Sequence, residues 1–278
     1  MSLLALALVA ALAPQDSAVP RGNRLVKLEL IADRAAVAPG ETFTLGVKFA
    51  VEKGWHIYWD NPGDSGLPTK IELRGPEGFT IGAPRSPTPE REVAEGDIVT
   101  FVHKGDVLFL ADVRAPREMP KDMTKIAFDV DASWLVCIES CFPGSGKAHL
   151  ELPLAGANAA KPAPANEKVF EAARARLPHP WSELESEIEW SGSGEHRTLR
   201  FSVPRASSLE IFPLTSETTS LVGRTTAKDD RACRLVADLA YRDTTPPGAP
   251  RLKGLLVVKT AQGESSYEFD TAPIPDRK

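Results

Sequence analysis

The chain is short of cysteine, short of net positive charge and, beyond its first residues, without long apolar runs. Each shortage excludes something. Three cysteines among 278 residues are too few for a disulfide framework, so cysteine chemistry is confined to one pair and one leftover thiol. The formal net charge is −5, with 26% charged residues of both signs. No basic stripe runs along the chain, and no nucleic-acid partner is expected. After residue 13 no stretch approaches the ~18 apolar residues of a spanning helix, so no transmembrane helix is expected in the mature chain. A Gly-rich phosphate loop, a Gly-x-Ser-x-Gly elbow and a His-Glu-x-x-His pattern are all missing, and no cofactor is expected. Acidic pairs such as Glu90/Glu92 and Asp229/Asp230 read as solvated loop charges.

The one apolar run, Leu3–Ala13, has eleven residues. That is the length of a signal-peptide h-region and too short for a bilayer, so residues 1–18 read as a signal peptide and the protein as exported. Export places the cysteines in an oxidising compartment, where near neighbours tend to pair.

What is present is strand and turn. Val26, Leu28 and Leu30 alternate with Lys27 and Glu29, and Phe43, Leu45, Val47, Phe49 and Val51 share one parity. Continued through Gly54, that parity buries Trp55, Ile57 and Trp59 and turns His56 and Tyr58 to the other face. A dense turn region, residues 61–68, precedes a strand near 69–74. Residues 84–96 read as a long polar loop, and 98–103 with 107–113 as a hairpin about Lys104-Gly105-Asp106. Ile126, Phe128, Val130, Ala132, Trp134 and Val136 lie on one parity, and Lys125, Asp129, Asp131, Ser133 and Cys137 on the other. Cys137 is therefore expected to leave its strand on the polar, accessible side. A strand over 147–154 completes an antiparallel β-sandwich of immunoglobulin type over residues 24–154.

Residues 155–178 read as a small-residue linker with a short helix, capped by Asn166 and ended by Pro178. Strands then follow at 187–190, 198–203, 209–212, 221–226, 232–241, 252–260 and 265–269, so 179–278 reads as a second β-sandwich. The fold class is all-β, two tandem sandwiches. Cys233 shares its parity with Leu235, Ala237, Leu239 and Tyr241, uncharged throughout; it reads as a buried core residue.

Chemistry concentrates in Trp134-Leu-Val-Cys-Ile-Glu-Ser-Cys-Phe-Pro-Gly144, which holds Cys137 and Cys141. A pair so close can close a small structural ring, exchange with other thiols, or hold a soft metal. Loop-closure entropy grows with loop length, so a ring this short stabilises little, whereas an exposed, tight disulfide is readily reduced. Exchange needs a reachable sulfur, a second sulfur to resolve the mixed disulfide, and apolar cover. Trp134, Phe142, Tyr58 and Phe101 are the candidates for that cover, with Pro143 restricting the chain's exit and His56 within reach of a thiol. The metal alternative is copper(I) on Cys137, Cys141 and His56; the Cys-x3-Cys-x-Pro spacing with a distant His is similar to the Sco copper chaperones. The other imidazoles available for it are His103 and His149. A third alternative is a non-catalytic binding module whose disulfide only shapes a loop.

Gly54-Trp-His-Ile-Tyr-Trp59, Asn61-Pro-Gly-Asp-Ser-Gly66, Pro87-x-Pro89 and the Trp134–Gly144 segment, in this order, resemble the N-terminal periplasmic domain of the DsbD/ScsB thiol:disulfide interchange proteins. The resemblance covers residues 24–154. Ile211-Phe-Pro213 and Leu252–Val258 resemble the extra periplasmic domain of ScsB-type members. The resemblance implies a periplasmic immunoglobulin-like domain acting as a thiol:disulfide oxidoreductase of the protein-disulfide reductase type, with links to cytochrome c biogenesis and copper tolerance. Its partners would be thioredoxin-fold proteins. It also implies that Cys141 meets partners and Cys137 resolves, that His56 and Tyr58 flank the pair, and that a cap loop over 95–103 shields it through Phe101. Family members continue into a membrane domain; this chain stops at Lys278, so a separate membrane electron-transfer protein is the expected electron source.

Overall fold

In the computed structural model the described residues are 21–120, 122–155, 162–193, 196–214, 219–228, 232–241 and 252–271. The expected signal peptide lies outside them. A single helical turn, α1 (Arg21–Leu25), leads into β1 (Val26–Ala32), β2 (Thr42–Val51), β3 (His56–Gly63), β4 (Lys70–Arg74), β5 (Thr80–Ile81), β6 (Glu90–Val93), β7 (Val99–Lys104), β8 (Asp106–Arg114), β9 (Lys125–Cys137) and β10 (Cys141–Pro153). They form two sheets, β1-β2-β8-β5 and β10-β9-β3-β7-β6, with β4 also pairing along β9. Period-two patterning makes the sandwich. Phe43, Leu45, Val47 and Phe49 from one sheet meet Ile126, Phe128, Val130, Trp134 and Val136 from the other, all buried in one core.

Two local expectations are corrected. Residues 98–103 and 107–113 are strands but not a hairpin: β7 and β8 belong to different sheets, and Gly105 carries the chain between them. Within the expected polar loop 84–96, residues 90–93 form edge strand β6, antiparallel to β7.

The helix α2 (Glu167–Arg174) packs Phe170 and Ala173 onto Leu108 and Leu110, on the outer face of the first sheet. The Arg174 guanidinium lies 2.6 Å from the buried Asp33 carboxylate. Asn166 sits at its N-terminus in a left-handed conformation (φ 54°) with no side-chain cap. Its amide instead donates to the Ala32 carbonyl at 2.9 Å, tying the segment to β1.

After β11 (His179–Pro180) and a 3-10 turn come β12 (Glu187–Ser193), β13 (His196–Pro204), β14 (Ser208–Pro213), β15 (Thr219–Lys228), β16 (Ala232–Tyr241), β17 (Leu252–Thr260) and β18 (Gly263–Thr271). Sheets β11-β18-β17-β14 and β12-β13-β16-β15 enclose a second core of Leu199, Phe201, Ile211, Leu235 and Leu256. Cys233 is fully buried in it, as its parity indicated. The two halves meet where Trp59 and Phe101 pack on Phe212, Leu255 and Val257, and Asn61 donates to the Pro213 carbonyl at 2.7 Å. Among the described residues no helix is long and apolar enough to cross a membrane.

Candidate functional site

β9 ends at Cys137 and β10 restarts at Cys141, so only Ile138–Ser140 make the turn. The two cysteines are direct cross-strand partners at the end of this hairpin, with Cα atoms 4.2 Å apart and their sulfurs joined in a disulfide. Partners directly opposite in a ladder project to the same face of the sheet. That face is the outer one, turned away from the sandwich core.

The two cysteines are unequally exposed. Cys141, on the outermost strand, is exposed, whereas Cys137 is 1% exposed. Strand parity predicted an accessible Cys137, and this is corrected. The face is the predicted one, but at this end of the sheet the outer face is covered. Tyr58 from β3 and Val102 from β7, both buried, cluster on Cys137 with Leu135 packed against them. Alternation tells which face a side chain takes, and says nothing of what lies over that face.

On its other flank Cys137 is the cross-strand partner of His56. His56 is itself buried at 8% exposure and meets Tyr58 edge to face at 5.2 Å. Its Nδ1 lies 3.2 Å from Glu92 Oε2 on β6, and Glu92 Oε1 lies 2.5 Å from the Lys104 ammonium on β7. Lys104 also reaches Glu90 at 3.4 Å. Burial holds the imidazole below its ordinary pKa; Glu92 opposes this by favouring the charged ring, and Lys104 adds to the lowering. Burial, and then Glu92, push the Tyr58 phenol up. His56 Nε2 is buried with no hydrogen-bond partner among the described residues. Gly66 presses on Tyr58 from the following loop: a Cβ there would stand 2.3 Å from the ring, and its φ of +106° also favours glycine.

Of the residues expected to line the pair, His56 and Tyr58 are at it. Pro143 pairs with Leu135 and shares the face of the disulfide by register. Trp134 lies on the opposite face, in the core, edge to face with Phe49 at 5.7 Å. Phe142, the partner of Val136, turns the same way and packs on Trp55, with the Arg21 guanidinium 4.2 Å above its ring. Phe101 is not a shield for the disulfide. One residue before Val102, it takes the other face of β7 and is buried against Phe212 of the second half. His103 shares that inner face, is 2% exposed and carries a pKa pushed down to about 3 by burial and by Arg176. His149 pairs with Asp129 at 2.8 Å on the surface. Only His56 of the three candidate imidazoles therefore stands beside the cysteines. Among the described residues no group of three or more His, Cys, Asp or Glu side chains is arranged to hold a metal ion.

Sequence reading missed Glu92, Lys104, Val102 and Leu135. Glu92 carries a usable signal: Glu90-Arg91-Glu92-Val93, the turn Glu95-Gly96-Asp97 and the run from Val99 are the pattern of a hairpin. That pattern would have placed Glu92 on a strand facing Thr100, two residues from Tyr58's partner Val102.

Comparison with known proteins agrees with this geometry. A family model described as thiol:disulfide interchange protein DsbD, N-terminal, matches residues 26–153. No curated protein matches the chain. Among solved structures, the N-terminal periplasmic domain of ScsB from Proteus mirabilis superimposes with a TM-score of 0.63 at 16% identity, covering 91% of this chain and 96% of that one. At that identity the likeness is one of fold, and it extends over both sandwiches. The sporulation control protein Spo0M from Bacillus subtilis aligns over 89% of this chain and 90% of its own at 12% identity, but its TM-score of 0.24 carries no argument. With the hairpin disulfide on the outer face of an immunoglobulin-like sheet, residues 26–153 belong to the family of the N-terminal domain of the thiol:disulfide interchange protein DsbD.

Proposed function

We propose that this protein is an exported dithiol/disulfide carrier that relays electron pairs between a membrane electron-transfer partner and periplasmic thioredoxin-fold proteins. The observation that carries this reading is the unequal exposure of the two cysteines of one disulfide. An incoming thiolate reaches only Cys141 Sγ. Its attack forms the mixed disulfide, breaks the Cys137–Cys141 bond and releases Cys137 as a thiolate. When the protein acts as donor, the Cys141 thiolate attacks the partner's disulfide. Cys137 then attacks Cys141 Sγ and expels the partner's thiolate, so the partner gains two electrons and the cysteine pair closes. Burial keeps Cys137 from small thiols in solution while leaving it beside the one sulfur it must reach, 4.2 Å away measured between Cα atoms.

A Cys137→Ala variant keeps the reachable thiol and loses the resolving one. Incubated with a periplasmic extract and analysed by mass spectrometry after acid quenching, it is expected to accumulate thioredoxin-fold proteins disulfide-linked to Cys141. Adducts on Cys233 alone, or none in which Cys141 participates, contradict the reading.

A further inference from the structure

The buried ring of His56 is left without a task by the exchange scheme above, and its surroundings specify one. Directly opposed residues in a ladder have Cβ atoms about 5 Å apart, so His56 and Cys137 are side-chain neighbours by register. The two nitrogens of an imidazole point away from one another. Nδ1 is anchored on Glu92, which lies on β6 beyond β7, so Nε2, on the opposite side of the ring, is directed away from β6. That nitrogen is buried and has no hydrogen-bond partner among the described residues. The carboxylate accepts the Nδ1 proton and so selects the tautomer whose Nε2 is a free acceptor.

We propose that His56 is the proton acceptor and donor of Cys137, with Glu92 as the positioning residue that fixes its tautomer. The inference rests on the exchange reading. When a mixed disulfide sits on Cys141, His56 Nε2 takes the Cys137 thiol proton as that sulfur attacks Cys141 Sγ, and the partner leaves as its thiolate. In the opposite direction the ring first takes a proton from solvent, Cys137 leaves the disulfide as a thiolate, and the imidazolium passes that proton to it. No further oxidant or reductant is involved. The thiolate–imidazolium pair forms where water is excluded, the condition under which a neighbouring cation lowers a thiol's pKa most.

Burial keeps the free ring neutral, which is the accepting form. The charged and titratable groups facing it are Glu92 and Glu90 from β6, Lys104 from β7, Tyr58 from its own strand and the cysteines from β9 and β10. Lys104 bridges both glutamates, so the imidazolium formed in the reaction meets Glu92 at 3.2 Å while the excess acidic charge is balanced from the far side.

The test uses the whole chain, reduced, with glutathione disulfide as the probe. Formation of the glutathione adduct on Cys141 and its resolution by Cys137 are followed by quenched mass spectrometry from about pH 5 to pH 10. Wild type, His56→Gln and Glu92→Gln are compared after circular dichroism has shown each folded. Loss of the ion pair removes thiolate at neutral pH only. His56→Gln is therefore expected to resolve about tenfold more slowly at pH 7, with its midpoint about one unit higher and its alkaline rate recovered. Glu92→Gln, a half-buried rim position able to change without disturbing the core, is expected to move the midpoint the same way by less. Profiles that superimpose on wild type overturn the proposal, as does an equal slowing at every pH with the midpoint unmoved, which is what lost packing produces. If wild type itself forms no adduct on Cys141 or never resolves it, the exchange reading fails, and this inference with it.

Discussion

A Cys141→Ser variant is expected to lose thiol:disulfide exchange by at least about a thousandfold, although it retains Cys137. A serine hydroxyl neither attacks a disulfide nor carries a mixed disulfide, and the remaining thiol is 1% exposed beneath Tyr58 and Val102. The fold should change little. The disulfide joins residues four apart in sequence, and closing so small a loop is worth about 2 kcal/mol or less. The pair is read out by exchange with a thiol probe and by urea unfolding. Exchange within tenfold of wild type would show that Cys137 is directly reachable and would remove the assigned order of attack. A loss of stability well above ~3 kcal/mol would place the disulfide among structural ones.

Trp134→Ala is expected to act in the opposite way, costing about 3–5 kcal/mol of stability while leaving the chemistry of each folded molecule in place. The indole is 5% exposed, packs on Phe49 and donates from Nε1 to the Gly22 carbonyl at 3.3 Å. β10 lies directly over it: a Cβ at Gly144 would stand 2.3 Å from Nε1, and one at Gly146 would stand 3.2 Å from the ring's far edge. Glycine at these two positions is what lets the cysteine hairpin sit flat on the core. Removing the indole leaves a cavity under the strand that carries Cys141. Equilibrium unfolding in urea measures the cost, and exchange is assayed where the variant is fully folded. A cost below ~1 kcal/mol would mean the ring is not the support it is described as.

The contrast between these two variants also shows what could be read from the chain alone. Single-strand parity identified Ile126, Phe128, Val130, Trp134 and Val136 as core and placed Cys233 inside the second sandwich, and the burial of all six agrees. It placed His56 and Tyr58 on the face of the disulfide for the same reason: side-chain alternation is local and needs no knowledge of the fold. What escaped is what depends on neighbouring strands. Cys137 was expected to be accessible because nothing in its own strand says that Tyr58 and Val102 lie over it. Phe101 was assigned to a cap, yet its parity sends it to the second half, where Phe212 waits from more than a hundred residues away. β7 and β8 look like a hairpin because a Gly-containing turn joins them, and only the pairing partners reveal that the chain changes sheets at Gly105. Glu92 passed for a solvated loop charge because β6 is a four-residue edge strand with little apolar content.

The reduction potential of Cys137–Cys141 tests the central claim most directly. The bond closes a short loop, and one of its two cysteines is exposed, so little chain entropy or burial of the pair as a whole protects it from an attacking thiolate. Equilibrated against glutathione buffers and scored by alkylation of the free thiols, the pair is predicted to titrate at a potential above about −300 mV, within the range of disulfides that exchange with thioredoxin-fold proteins. A potential well below about −300 mV, with Cys141 still unalkylated in a strongly reducing buffer, would make this a structural staple and would contradict the account.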